Sequence, residues 1–186
     1  MTVPTLRSDR LNLRGLSAQD APVIASALND YAISKWLTHV PYPYKLTDAE
    51  WFIAENLAGR LVAWMIHAGD RFVGVVGMDQ ELGYWLVPEA WGHGYATEAS
   101  HTVLTHFFAS TEKDAARSSH HADNRASQNV LTKLGFVDCG PCIHRSQARQ
   151  ADVDARKMIL RRADWALDEN GHSSDSTMKK LTHPAR

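Results

Sequence analysis

One stretch limits what this chain can fold into more than any other: Gly83-Tyr84-Trp85-Leu86-Val87-Pro88-Glu89-Ala90-Trp91-Gly92-His93-Gly94-Tyr95-Ala96-Thr97-Glu98-Ala99. β-forming residues run up to Pro88, which ends a strand, and Ala96, Ala99, Val103 and Phe107 then recur on one helical face. Glu98, His101, Thr102 and Thr105 occupy the opposite face, as expected of a helix packed on one side of a sheet. The glycine loop between strand and helix brings backbone N–H groups and the positive end of a helix dipole to one place, which favours a phosphate or pyrophosphate. Residues 95 to 97 are Tyr-Ala-Thr. A P-loop needs Gly-Lys-Ser/Thr after its last glycine and a dinucleotide fold needs a third glycine at 97, so both are excluded.

The rest of the chain supplies a sheet for this unit. Leu11 and Leu13 alternate with polar neighbours in a strand over residues 6 to 14, and Asp20 with Pro22 opens a helix carrying Val23, Ile24, Ala27 and Leu28. The segment Val40-Pro41-Tyr42-Pro43-Tyr44 cannot be regular helix, and Thr47-Asp48-Ala49-Glu50 reads as a capping box opening a second helix to Asn56. Runs 61–67 and 71–77, separated by Ala68-Gly69-Asp70, form a hairpin, with a third strand at 82–87. A strand over 115–120, a helix over 126–134 stopped by Gly135, and strands after Phe136 and over 156–161 complete an α/β domain with a mixed sheet. One domain over 1–167 is expected, followed by a polar tail over 168–186 whose Met178 and Leu181 are its few apolar residues.

Net charge is −1, which makes no case for nucleic acid or membrane, although it averages −5 over residues 1–112, +5 over 113–162 and −1 beyond. The basic third quarter suits a small polyanion. No apolar run is long enough to span a membrane, the N-terminus lacks the pattern of a signal peptide, and two cysteines make a poor disulfide framework, so the expected location is cytoplasmic.

Three pieces of the chain together resemble the GNAT superfamily of acyl-CoA-dependent N-acetyltransferases, in particular the branch of ribosomal-protein N-terminal acetyltransferases. They are Thr5-Leu6-Arg7-Ser8-Asp9-Arg10-Leu11, then Glu81 through Ala99, then Asp123-Asn124-Arg125-Ala126-Ser127 through Lys133-Leu134-Gly135-Phe136, spanning residues 5–165 in the family's order. The resemblance implies a mostly antiparallel mixed sheet of about seven strands, splayed between the fourth and fifth, with about four helices and acetyl-CoA in the cleft. Trp85, Leu86 and Val87 would offer free backbone groups to the pantetheine arm, while Gly92, His93, Gly94, Tyr95, Ala96 and Thr97 would cradle the pyrophosphate. Trp91 stands where many relatives have Gln or Arg. Asn124 reads either as a helix cap or as a pantetheine contact, and Arg125 and Lys133 are candidates for the phosphates. No metal is implied.

The reaction implied by the resemblance needs a positioned amine, a base for it and an acid for the departing sulfur. Many relatives supply the acid from a tyrosine four residues before the Gly-Phe pair, where this chain has Leu131, so Ser127 one turn earlier is the replacement. Glu81 is the leading base, with Glu89 and His120 behind it. Trp36, Tyr42, Tyr44 and Trp51 cluster in sequence as candidate acceptor-pocket residues, foremost Trp36, Tyr42 and Tyr44. A peptide α-amine is the expected acceptor; an aminoglycoside, polyamine or metabolite, or a catalytically silent acyl-CoA binding module, are the alternatives. A homodimer is expected by analogy. Cys139-Gly140-Pro141-Cys142 matches a redox tetrapeptide, but it sits between β patterns rather than at a helix start, so a turn is expected there. A zinc site from these cysteines lacks a second ligand pair at finger spacing.

Overall fold

The computed structural model describes residues 3–165, so the expected tail over 168–186 lies outside the described residues. The strands are β1 (Leu6–Arg7), β2 (Leu11–Gly15), β3 (Ala63–Ala68), β4 (Arg71–Met78), β5 (Leu82–Leu86), β6 (Ala115–His121), β7 (Val137–Ser146) and β8 (Ala151–Arg161). The helices are α1 (Ala21–Leu28), α2 (Tyr31–Ser34), α3 (Leu46–Leu57), α4 (Tyr95–Ser110) and α5 (Arg125–Lys133), and residues 162–165 begin a further helical turn. They build an α/β domain around one eight-stranded sheet in the order β1-β2-β3-β4-β5-β6-β8-β7. No described helix is long and apolar enough to cross a membrane.

The additional strand has a local cause. Ser8 N–H donates to Leu11 O at 3.0 Å, closing a tight turn that splits the expected strand over 6 to 14 into β1 and β2. The splay therefore falls between the fifth and sixth strands. The second correction concerns the cysteines. Cys139-Gly140-Pro141-Cys142 is not a turn but part of β7, where Pro141 pairs with Arg156 and Cys142 with Ala155, and a bulge between Asp138 and Gly140 absorbs Cys139. Because β7 is an edge strand, Pro141 interrupts no interior ladder. The start of α3 also lies earlier than expected: Lys45 is its N-cap and supplies no side-chain acceptor, and Asp48 accepts from Lys45 N–H at 2.8 Å.

Strand alternation sends side chains to two apolar layers. On one face Ile66, Val76 and Leu82 pack against Val103 and Leu104 of α4 and Leu131 of α5. On the other, Met65 and Val75 pack against Ile24 of α1 and Ile53 of α3. The sheet is antiparallel except at β5 and β6, which run parallel and pair at a single position, Leu82 with Ser118. Ser118 Oγ fastens that rung by donating to Leu82 O at 2.8 Å. Beyond it the strands diverge. The neighbouring β4 lies close to β5 because Gly74, beside a bulge at Ile66/His67, has no side chain: a Cβ there would overlap the Trp85 carbonyl oxygen and stand 2.9 Å from Leu86 Cα.

Candidate active site

Beyond Leu82, the β5 edge that borders the gap between β5 and β6 has no strand partner. Val87 N–H donates to Val73 O at 3.0 Å, and with the register Val75–Trp85 this turns the backbone groups of Trp85 and Val87 toward β4. The edge facing the gap thus belongs to Tyr84 and Leu86. This corrects the expectation that Trp85 and Val87 offer free backbone groups, and adds Tyr84 to the site. Trp91, in place of Gln or Arg, donates its indole N–H to Leu86 O at 2.9 Å, tying the glycine loop to the end of β5.

The loop then turns into α4 through Gly92 at φ 77° and Gly94 at φ 79°, a left-handed conformation that L side chains rarely adopt. Gly94 is the N-cap of α4 and supplies no side-chain cap, so the first-turn N–H groups at 95–97 remain for an anion. Around Gly92 no atom would meet an added Cβ within 4 Å, which leaves open space on the cradle. His93 stacks on Tyr95 at 5.6 Å, and the Arg10 guanidinium lies 5.0 Å from the Tyr95 ring centre. The backbone cradle, the open space and the cation together fit a pyrophosphate.

Arg10 is brought there by Glu98 of α4. Glu98 Oε1 accepts from Ser8 Oγ at 2.7 Å and Arg10 N–H at 3.0 Å, while Oε2 takes Arg10 Nε at 2.7 Å and pairs with Nη2 at 2.6 Å. Burial alone would raise the Glu98 pKa, but these hydrogen bonds and the Arg10 charge hold it below the ordinary value. A carboxyl depressed in the fold contributes stability that is complete above the unfolded pKa of about 4.3 and is lost as pH falls through the folded value. Glu98→Gln should therefore lower stability by about 1 kcal/mol at neutral pH, a modest figure because Arg10 is half exposed, and the deficit should close in acid, as the pH falls below the ordinary carboxylate range. Urea melts of both proteins at the two pH values check this; a deficit that persists in acid would contradict it.

Across the gap, α5 presents Ser127. Asn124 is the N-cap, its Oδ1 accepting from Ser127 N–H at 3.1 Å, which confirms the cap and leaves the Asn124 amide donors for a second partner. Ser127 Oγ lies 3.0 Å from Tyr84 Oη, and burial pushes the Tyr84 phenol up to about 12, with the Ser127 bond pulling the other way. Leu131, where many relatives carry the tyrosine, is fully buried in the core. Lys133 is exposed in the last turn of α5, about 9 Å along the axis from Ser127, so it is not brought to the same cluster.

On the other face of the gap, Glu81 precedes the rung and accepts from Ser119 Oγ at 2.8 Å. His121, two residues on, is 1% exposed, and neither ring nitrogen has a partner. Burial, aided by Arg149 and His144, holds its pKa below the usual imidazole range, so it is neutral at physiological pH. Trp36 covers it at 6.5 Å between ring centres, with Arg149 4.7 Å from the Trp36 ring and anchored to Asp123 at 2.9 Å. His144 flanks the same imidazole at 6.2 Å, held by Thr38 Oγ1 at 3.2 Å. His120 points the opposite way, with its Nδ1 on His121 O. Of the aromatic candidates, only Trp36 stands over this cluster. Tyr42 lies at the surface against Tyr31, Trp51 is 62% exposed, and Tyr44 is core, packed among Ile24, Ala49 and Ile53.

The family described as the Acetyltransferase (GNAT) domain matches residues 10–137. The chain is 26% identical over 146 residues to the uncharacterized N-acetyltransferase YoaA of Bacillus subtilis, covering 72% of this chain and 82% of that one. Its fold is similar to an acetyltransferase of the GNAT family from Bacillus anthracis, with a TM-score of 0.75 at 18% identity over 85% of this chain and 98% of that one. It is also similar to RimL, a ribosomal L7/L12 alpha-N-protein acetyltransferase solved with coenzyme A, with a TM-score of 0.72 at 17% identity over 87% of this chain and 99% of that one.

Proposed function

The chain belongs to the GNAT acetyltransferase family, whose members are acyl-CoA-dependent, and from that premise we propose that it transfers the acetyl group of acetyl-CoA to the α-amine of a peptide N-terminus. The observation that carries this reading is the gap between β5 and β6, open along Tyr84 and Leu86 and ending at the uncapped N-terminus of α4. The pyrophosphate sits on the amides of residues 92–97 beside Arg10, and the pantetheine arm runs along the free edge of β5 with Asn124 opposite. The amine enters from the face of Trp36, attacks the thioester carbon directly in a ternary complex, and gives its proton to Glu81. Ser127 stands at the sulfur.

An α-amine fits because its reference pKa, about 7.7 to 8.0, leaves a useful neutral fraction at pH 7, whereas a lysine amine at about 10.4 needs a strong base. RimL, an alpha-N-protein acetyltransferase of similar fold, supports the same reading. Calorimetric titration with acetyl-CoA should give one-to-one micromolar binding. Coenzyme A release should then be faster with a free-N-terminus peptide than with its acetyl-capped, lysine-containing twin, spermidine or an aminoglycoside. Turnover confined to the small amines would replace the peptide acceptor, and binding with no turnover on any of them would leave an acyl-CoA binding module.

A further inference from the structure

Above the rung between Leu82 and Ser118, a hydrogen bond joins the hydroxyls of Tyr84 on β5 and Ser127 on α5 across the gap, and its geometry admits either as the donor. Tyr84 reaches it because β5 alternates Leu82, Tyr84 and Leu86 toward the apolar layer of α4 and α5, so its half-buried ring packs on that layer and its hydroxyl meets Ser127. A phenol has one proton to give. Two acceptors lie within reach, Ser127 Oγ at 3.0 Å and Ser127 O at 3.4 Å, and the shorter contact is to the hydroxyl. The serine is itself fixed, because Asn124 Oδ1 holds its backbone N–H. A serine hydroxyl that accepts from a packed phenol on one side turns its own proton to the other, which is the gap.

We propose that Tyr84 is a positioning residue for the departing thiolate: it donates to Ser127 Oγ and so aims the Ser127 proton at the sulfur of coenzyme A. This rests on the reading of the gap as the coenzyme cleft, in which an arm laid from α4 along Leu86 and Tyr84 brings its sulfur beside Ser127. When the tetrahedral intermediate collapses, the carbon–sulfur bond breaks and its electron pair goes to sulfur. The amine proton has gone to the base, the new carbon–nitrogen bond stays, and sulfur, held by the Ser127 hydrogen bond, later takes a proton from water. Tyr84 keeps its proton throughout, since a phenol pushed up to about 12 does not give it to a thiol near 8.5. The hydroxyl that many relatives place at position 131 is thus supplied from a strand, and it works through a serine rather than on the sulfur itself.

The test needs no acceptor. Coenzyme A bound to the protein is titrated by the ultraviolet absorbance of its thiolate, with protein lacking coenzyme A as the blank for Cys139 and Cys142. In the wild type the bound thiol should titrate about one pH unit below free coenzyme A, as a hydrogen bond to the charged form requires. Tyr84→Phe should return most of that shift and Ser127→Ala all of it. The double variant should match Ser127→Ala, and Ser127→Thr, which keeps a hydroxyl, should retain both the shift and its sensitivity to Tyr84→Phe. A Tyr84→Phe thiol that titrates as in wild type, or an equal further shift in the Ser127→Ala background, overturns the proposal and leaves the cleft reading standing. Failure of the wild type to bind coenzyme A removes both.

Discussion

Gly74→Ala should lower the melting temperature by roughly 10 °C, the largest stability loss expected of any single methyl group added to this sheet. The added carbon has nowhere to go: it meets the Trp85 carbonyl oxygen and stands 2.7 Å from Leu86 Cδ2 and 2.9 Å from Leu86 Cα, most of it backbone that cannot rotate away. Overpacking of this kind costs about 3 kcal/mol. Relief requires β5 to move off β4 at Trp85 and Leu86, and the opposite edge of β5, at Tyr84 and Leu86, borders the cleft, so coenzyme A affinity should fall together with stability. Gly83→Ala is the internal control. It lies on the neighbouring strand β5 with nothing within 4 Å of its Cβ, and its effect should stay within about 0.5 kcal/mol. Thermal melts and coenzyme titrations of the two variants decide the matter; equal melting temperatures would mean that the close approach of β4 to β5 is not a constraint.

Ser127→Ala carries the largest effect expected on turnover. The substitution keeps the backbone N–H that Asn124 caps, so α5 should start where it does now and the coenzyme should bind as before. In the proposed mechanism the substitution removes one hydrogen bond to a charge that develops as sulfur leaves, and losses of that kind reduce kcat on the order of a hundredfold. With a peptide acceptor, release of coenzyme A should therefore slow by that order while KM for acetyl-CoA stays put. Full turnover would take Ser127 out of the chemistry.

The parts of the molecule visible from its sequence are those set by neighbours along the chain. The step from β5 through the glycine loop into α4 is written in period, proline and glycine, and the cap at Asn124 is written in the residue itself. The division of β1 from β2 was missed although Arg7-Ser8-Asp9-Arg10, four polar residues in a row, breaks the alternation; the bond from Ser8 N–H to Leu11 O makes that break a turn. Contacts between distant residues were hidden for a different reason. Arg10 meets Glu98 from 88 positions away and Tyr84 meets Ser127 from 43, and no local pattern records either pairing. One signal for Tyr84 did exist: a phenol in line with Leu82 and Leu86 on an apolar strand face must find a partner for its hydroxyl. Tyr44 shows the converse. A cluster of aromatics in sequence does not distinguish a pocket wall from a core, and burial decided it.

The single rung between Leu82 and Ser118 gives the coenzyme a second part to play. A sheet joined at one point is two half-sheets on a common pivot, and a ligand bonded to both sides of the opening acts as an extra strand that closes it. Folding is then linked to metabolite supply: at a hundredfold excess over its dissociation constant, the coenzyme adds about 2.7 kcal/mol to stability. The protein's lifetime against unfolding and proteolysis should accordingly rise and fall with the acyl-coenzyme pool around it, quite apart from how fast it turns over.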